Sequence, residues 1–590
     1  MFVRTATRRN KDGSAVRYVQ LVQNQWDPVA KASRMRVVHS FGREDQLDRA
    51  AVERLAGSLG RLLGRGPGGA LGAAAGLAYA GSVAYGGTYL LDQLWTRLGI
   101  GRVMTAALAR TRRDAVTERV LFALVANRAL APSSKLAAAH WVGRGAHVGQ
   151  LPATTDDACY RAMDWLLEVG DAVEKEVFTR VAGLLNLEVD LLFFDTTSTY
   201  FQVEEEDEPV PRDENGNPAP RATAESGGKA EAGGDKGGDG QKTTGFRVLG
   251  KSKDHRDDLP QIVIGMAVTR GGIPVRVWCW PGNTSDSALI RQVKDDMRDW
   301  TLTRIVWVAD RGFTSAENRR YLRRGDHHYI IGEKLRSGSA EAAAALSRQG
   351  RYQEVAGNLR VKEVRISDSE RFVICHNPDG AERDAAIRAR LLSRLKDMID
   401  GTDKLTATRR AELRGVISTK PGLNRYLRVT PGGLLRTDAA RVRAEENLDG
   451  KYLLRTSDPR LTAADIALGY KQLLEVERGW RDMKQVIDLR PVYHRKEERI
   501  RAHVILCWLA LLLIRIAETT AGTTWNKIAD ELSLLTLGTF TGPDGTFRQT
   551  AELTPAQRSI LASLSIPRPR KIIEAAPAAP PAPGDATAGA

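Results

Sequence analysis

The sequence predicts an α/β core set between helical segments, and three observations carry that expectation. Short, mostly apolar stretches of strand length recur between residues 188 and 332, with helical stretches among them. Amphipathic stretches with helical spacing dominate residues 66–187. The composition, 42% hydrophobic and 27% charged over 590 residues, is that of a globular chain with ample material for a core. It excludes a wholly disordered, collagenous or coiled-coil protein.

Residues 1–65 hold 13 Lys/Arg against 6 Asp/Glu. Within this basic strand or hairpin region, 15–22 reads as a strand and 35–41 as its partner, and the pattern turns helical from Asp48. Residues 66–187 follow as a helical, basic region and a candidate DNA-binding domain. The core begins at 188, where residues 189–194 form an apolar strand running into Asp195. Two strands, 261–269 and 273–280, are joined by Arg270-Gly271-Gly272. A helix (285–300), a strand (304–309) ending in Asp310, a second helix (315–324) and a fifth strand (328–332) complete the order β-β-β-α-β-α-β.

Two segments interrupt this plan. Residues 204–243 open with Glu204-Glu205-Glu206-Asp207-Glu208 and continue rich in Gly, Ala, Asp and Lys, so a disordered loop is predicted. Residues 333–450 are an α+β insertion domain rich in arginine. The core resumes over 451–520 with one helix over 465–486 and an apolar helix, 500–516, expected to pack on the sheet. Residues 521–590 are read as a helical region ending in a disordered tail.

The charge balance, 87 − 72 = +15, favours a polyanionic partner. The four cysteines lie far apart with no CxxC spacing, which argues against a disulfide framework or a cysteine zinc site. The amino terminus lacks the apolar stretch of a secretory signal, and the most apolar run, 504–514, is about half the length of a membrane span. A cytoplasmic protein with no membrane partner is expected.

Chemistry enters with the acids. Asp195 and Asp310 each follow an apolar strand, where ligands gather at the carboxyl ends of a sheet. Carboxylates placed side by side need positive charge between them, and carboxylate oxygens suit Mg²⁺, with Mn²⁺ as a substitute. On the helix over 465–486, Tyr470, Glu477, Arg481 and Lys484 stand at offsets that place them within a face about 60° wide. Glu477 is thus a third carboxylate, surrounded by cations. Three carboxylates suffice to hold a pair of divalent ions that activate a water or a 3′ hydroxyl against a phosphodiester. Lys253 and Arg256, in a polar turn before the second strand, are candidate contacts to DNA backbone.

These residues resemble the DDE transposases of bacterial insertion sequences, in the branch marked by a Tyr-Arg-Glu-Lys helix signature. Tyr470, Glu477 and Lys484 fall at the signature's spacing, with Leu473 at its Arg position. Phe193-Phe194-Asp195-Thr196-Thr197 resembles the motif of the first acid, and Val308-Ala309-Asp310-Arg311-Gly312-Phe313 that of the second. Gly250 to Asp258, Pro281-Gly282-Asn283-Thr284-Ser285-Asp286 and Leu489-Arg490-Pro491-Val492-Tyr493-His494 extend the similarity.

The resemblance implies a ribonuclease-H-like core with Asp195, Asp310 and Glu477 as the catalytic, metal-binding triad. It implies Tyr470 and Lys484 at phosphates near the cleaved end. Arg481 and Arg478 are the candidates to replace the missing Arg, Arg481 being better placed on the helical face, and Arg311 beside the second acid is a further candidate DNA contact. The implied activity is Mg²⁺-dependent cutting of double-stranded DNA at insertion-sequence ends. Joining of the 3′ hydroxyls to target DNA follows, by cut-and-paste, in a homodimer associated with the nucleoid of a prokaryotic cell. A catalytically retired DNA-binding protein and a related metal nuclease that cuts without joining are the alternatives.

Overall fold

The computed structural model describes residues 2–9, 15–27, 32–44, 77–187, 190–219, 242–298, 300, 304–336, 338–367, 370–490, 494–542 and 545–577. The helical pattern expected after Asp48, most of the 204–243 loop and the end of the carboxyl-terminal tail lie outside them. Two compact units emerge, one built from residues 1–186 and 481–590, the other from 187–480.

The first unit opens with three antiparallel strands, β1 (Phe2–Arg9), β2 (Ala15–Asp27) and β3 (Ala32–Arg43). The expected pair is therefore longer and has a strand before it, Ala6 lying opposite Tyr18. Strand β4 (Ala78–Ala84) leads into the helices α1 (Gly86–Arg97), α2 (Ile100–Leu108), α3 (Thr117–Leu130), α4 (Lys135–Trp141) and α5 (Asp156–Leu185). Thr155 caps α5 by accepting from the Ala158 amide, Asp156 and Asp157 oppose the dipole in its first turn, and Asn186 ends it in the left-handed region. Its buried residues, among them Cys159, Met163, Leu166, Val173, Val177 and Val181, recur at helical spacing.

The second unit carries the core strands β5 (Leu191–Tyr200), β8 (Gln261–Thr269), β9 (Pro274–Pro281), β10 (Val306–Ala309) and β11 (His328–Glu333). Helices α6 (Asp286–Asp296) and α7 (Ala316–Leu322) connect the later strands, and a hairpin, β6 (Val210–Arg212) with β7 (Lys242–Thr244), interrupts the earlier ones. The sheet runs β9-β8-β5-β10-β11, with β8 antiparallel to β5 and β9, and β10 parallel to β5 and β11. Both β8 and β9 are buried at every position, as their near-continuous apolar sequences require.

Four expectations are corrected in this unit. Strand β5 does not end before Asp195: Thr196-Thr197-Ser198-Thr199 continues it, and Asp195 pairs with Met266 inside the ladder. Threonines favour the pleated conformation, and these hydroxyls are buried. The acidic segment is ordered at its ends. Asp207 receives the Arg247 guanidinium at 2.6 Å, and buried Arg212 donates to the carbonyls of Thr244 and Gly216, both at 2.9 Å.

Residues 333–450 supply α8 (Ala340–Ser347), β12 (Gln353–Ala356), β13 (Leu359–Ser367), β14 (Glu370–His376), α9 (Pro378–Ile399), α10 (Ala407–Ser418), α11 (Pro421–Asn424), β15 (Leu427–Val429), β16 (Leu435–Thr437) and α12 (Ala439–Glu446). Strands β12 to β14 join the core sheet itself, because β17 (Lys451–Thr456) pairs antiparallel with both β11 and β14. The helical part of the segment has a core of its own, around Leu395, Ile417, Leu423, Tyr426 and Leu435.

The single helix expected over 465–486 is two helices, α13 (Ala463–Lys471) and α14 (Leu474–Gln485). A reciprocal capping box between Thr462 and Asp465 starts α13. At the break, the amides of Leu473, Glu475 and Val476 reach back three residues, to the carbonyls of Tyr470, Gln472 and Leu473. These tight turns interrupt the α-helical period.

The first unit resumes at Arg481, within α14, and continues with α15 (Glu497–Ala521), α16 (Trp525–Ser533), β18 (Thr536–Gly542), β19 (Gly545–Thr550), α17 (Pro555–Ser563) and β20 (Ile572–Pro577). The expected helical carboxyl-terminal region thus contains three strands, which with β4 form the sheet β20-β19-β18-β4. Helix α15 is long and apolar enough to cross a membrane, yet its apolar side chains are buried among helices, chiefly α3 and α5. Being apolar all round, residues 500–516 are enclosed by helices, where packing on a sheet was expected.

Candidate active site

In the second unit, a cavity of about 710 Å³ collects Asp195, Asp310 and Glu477 in one lining. Asp195 reaches it from the middle of β5. Asp310 follows β10 and opens a short 3₁₀ turn, Arg311–Phe313, whose Phe313 amide donates to the Asp310 carbonyl at 3.1 Å. Glu477 stands exposed in the first turn of α14. Arg311, Lys334, Arg336, Lys451 and Lys471 share the same lining, so carboxylates lie within a cationic wall. Arg336 is paired with Glu445 at 2.7 Å.

Tyr470 also lines the cavity, and its hydroxyl donates to Asp310 Oδ1 at 3.3 Å. Burial, and then the neighbouring Asp310, push the phenol well above its usual range, so it stays a donor. The approach depends on Gly332: a Cβ there would lie 2.4 Å from Tyr470 Oη. Leu473, at the position where the signature has Arg, lies in the same wall.

Asp195 titrates above the ordinary carboxylate range. Burial raises its carboxyl to about 6, with Asp286 and Asp310 adding negative charge, while Lys253 and the Thr196 amide act in the opposite direction. Carboxylate oxygens held this way suit a hard divalent cation, whose charge relieves both the burial and the repulsion. Among the described residues, no three His, Cys, Asp or Glu side chains are close enough to enclose a metal ion. Asp195, Asp310 and Glu477 therefore share the cavity without closing a three-carboxylate cluster.

The other expected residues fall in different places. Arg481 and Lys484 lie one and two turns beyond Glu477 on one face of α14, while Tyr470 belongs to α13, so the expected four-residue helical face is divided by the break. Lys253 donates to Thr196 O at 2.6 Å and stands 3.3 Å from Asp286 and 3.7 Å from Asp195. Arg256 is bidentate to Asp258, at 2.8 and 2.9 Å, and lies over the Tyr200 ring. Sequence reasoning missed Asp286, Lys334, Lys451 and Lys471. Asp286 left a signal as the first residue of a helix after a Gly-Asn-Thr-Ser turn, whereas the lysines come from β17 and from the ends of β11 and α13, whose convergence only the fold reveals.

The transposase DDE domain family matches residues 242–513, and the amino-terminal domain of IS1634 family transposases matches residues 3–71. No curated protein matches the chain. Among solved structures, a piggyBac transposase synaptic complex with hairpin DNA is 10% identical over 78% of this chain and 81% of that one, with a TM-score of 0.34. Together, the two family matches indicate an insertion-sequence DDE transposase.

Proposed function

We propose that this transposase cuts double-stranded DNA at insertion-sequence ends and joins the freed 3′ hydroxyls to target DNA, with Asp195, Asp310 and Glu477 as its metal-holding acids. The observation that carries this reading is their common cavity, lined also by Arg311, Lys334, Lys451 and Lys471. A ribonuclease-H-like identity for the core is part of the proposal, supported by the order β9-β8-β5-β10-β11 with only β8 reversed.

When bound, Mg²⁺, or Mn²⁺ in its place, supplies Lewis-acid stabilisation of the attacking and leaving oxygens of the phosphodiester. The chain's own residues do the rest. Asp195 is fixed by a strand ladder and Asp310 by a 3₁₀ turn, so two ligands are held by rigid backbone. Tyr470 orients Asp310 through its hydroxyl, and the cationic wall draws phosphates toward the carboxylates. Arg481 and Lys484, beyond Glu477 on α14, are proposed to follow the backbone of the cleaved end. Arg256, occupied by Asp258, must exchange that partner to do likewise.

Two ends require two active sites, so a homodimer in the synaptic complex belongs to the proposal, as do a cut-and-paste route and action at the nucleoid of a prokaryotic cytoplasm. The test is end cleavage and joining by Asp195→Asn and Asp310→Asn proteins beside the wild type. Loss of both reactions with retained DNA binding is expected. Wild-type cleavage without joining would replace the transposition chemistry with that of a simple nuclease.

A further inference from the structure

Beside Asp195 the chain places a cation of its own. The Lys253 ammonium donates to Thr196 O at 2.6 Å and Thr196 Oγ1 at 2.5 Å. It stands 3.3 Å from Asp286 Oδ2 and 3.7 Å from Asp195 Oδ1. Thr196 Oγ1 in turn donates to Asp286 Oδ1 at 2.8 Å, so one hydroxyl joins the ammonium to the carboxylate. The Lys253 amide donates to Ser198 Oγ at 2.8 Å, tying the polar turn to β5. Asp286 is the first residue of α6, where the helix dipole favours a negative charge. Asp195 lines the cavity, and Asp286 does not.

A lysine that served only to meet DNA would extend into solvent, as its flexible stem and strong hydration favour. Here the side chain is ordered by a carbonyl, a hydroxyl and two carboxylates. Ordering so flexible a side chain costs conformational entropy, which these contacts offset. We infer, on the metal-dependent reading above, that Lys253 is a positioning residue. Its ammonium is a built-in counter-ion, anchored by Asp286 and Thr196, that fixes the Asp195 carboxylate and keeps mobile cations out of the gap between Asp195 and Asp286. Metal is thereby confined to the cavity side that Asp195 shares with Asp310 and Glu477.

The experiment counts Mn²⁺ bound to the full-length protein without DNA, by electron paramagnetic resonance, alongside DNA affinity and end cleavage. Lys253→Met and Lys253→Gln are each expected to bind one more Mn²⁺ than the wild type and to cleave more slowly. Lys253→Arg, which keeps the charge, is expected to hold the wild-type number, as is the double variant Lys253→Met/Asp286→Asn, which lacks one carboxylate of the gap. Gln keeps a hydrogen-bond donor, so it decides the matter if melting shows the Met protein to be unfolded.

An unchanged Mn²⁺ count in both uncharged variants would overturn the inference. So would a pure loss of DNA affinity, with the salt dependence lowered by about one ion, since that is the mark of a phosphate contact. A wild type that binds no Mn²⁺ at all would remove the metal-dependent reading and this inference with it. Normal wild-type binding with unaltered variants removes the inference alone.

Discussion

At the scale of single residues, the site depends on contacts that a small change would break. Tyr470 holds Asp310 through one hydroxyl, and the absence of a side chain at Gly332 makes the approach possible. Tyr470→Phe is expected to reduce cleavage about 10–100-fold, the usual cost of losing a partner that orients a metal ligand, with little change in melting temperature. Gly332→Ala should lower activity similarly and also destabilise the fold by about 1–3 kcal/mol, because the new methyl overlaps the phenol. Full activity in both proteins would show that Asp310 needs no such orientation.

A second residue-scale prediction concerns Lys135, far along the chain from the acids. Burial lowers its pKa to about 7, with Arg128 contributing, and its ammonium is 3.4 Å from His503 Nδ1. The unfolded chain binds this proton up to the ordinary lysine range, so between pH 7 and 10 the unfolded state carries more protons than the folded one. Stability must therefore rise with pH across that window, by up to about 1.4 kcal/mol per pH unit. Denaturant melts at pH 7, 8 and 9 should show this slope, and Lys135→Met should remove it. A slope identical in the two proteins would assign it to another group.

At the scale of elements, the break at Gln472-Leu473 divides Tyr470 from Glu477. Both residues still line the cavity, but from two helices, so the constant α-helical spacing that grouped them does not hold between them. Hydrophobic patterning cannot reveal such a break, because no Pro or Gly marks it and the turn is closed by backbone bonds alone. Strand β5 misled in a related way: its apolar run stops at Phe194, while buried threonines carry the ladder on to Tyr200. The five core strands and two connecting helices were legible because their runs are apolar and bounded by Gly-rich or charged turns. Leu473, next to the break, offers an element-scale test. Leu473→Arg places a guanidinium in the cavity wall, and the salt dependence of end binding should steepen by about 0.9 per added phosphate contact. An unchanged slope would mean that phosphates do not pass this wall.

At the scale of the whole molecule, one continuous sheet of nine strands supports the acids, and the segment expected to be a separate insertion contributes three of those strands. Long-range pairing of β17 between β11 and β14 is invisible to local pattern, since it joins residues 75 to 126 positions apart. The same holds for the four-stranded sheet that links β4 to β18. The two aspartates and Glu477 were legible from residue type and resemblance, whereas Lys253, Asp286 and the lysines of the wall acquire meaning only when the sheet assembles.

The central claim is that Glu477 acts with Asp195 and Asp310 in cutting and joining DNA. Its most direct test compares the wild type with Glu477→Gln on DNA bearing the element's own ends, in Mg²⁺, scoring end binding, cleavage and joining together. The account predicts unchanged binding with both reactions abolished in the variant. Cleavage and joining by Glu477→Gln at the wild-type rate would contradict it.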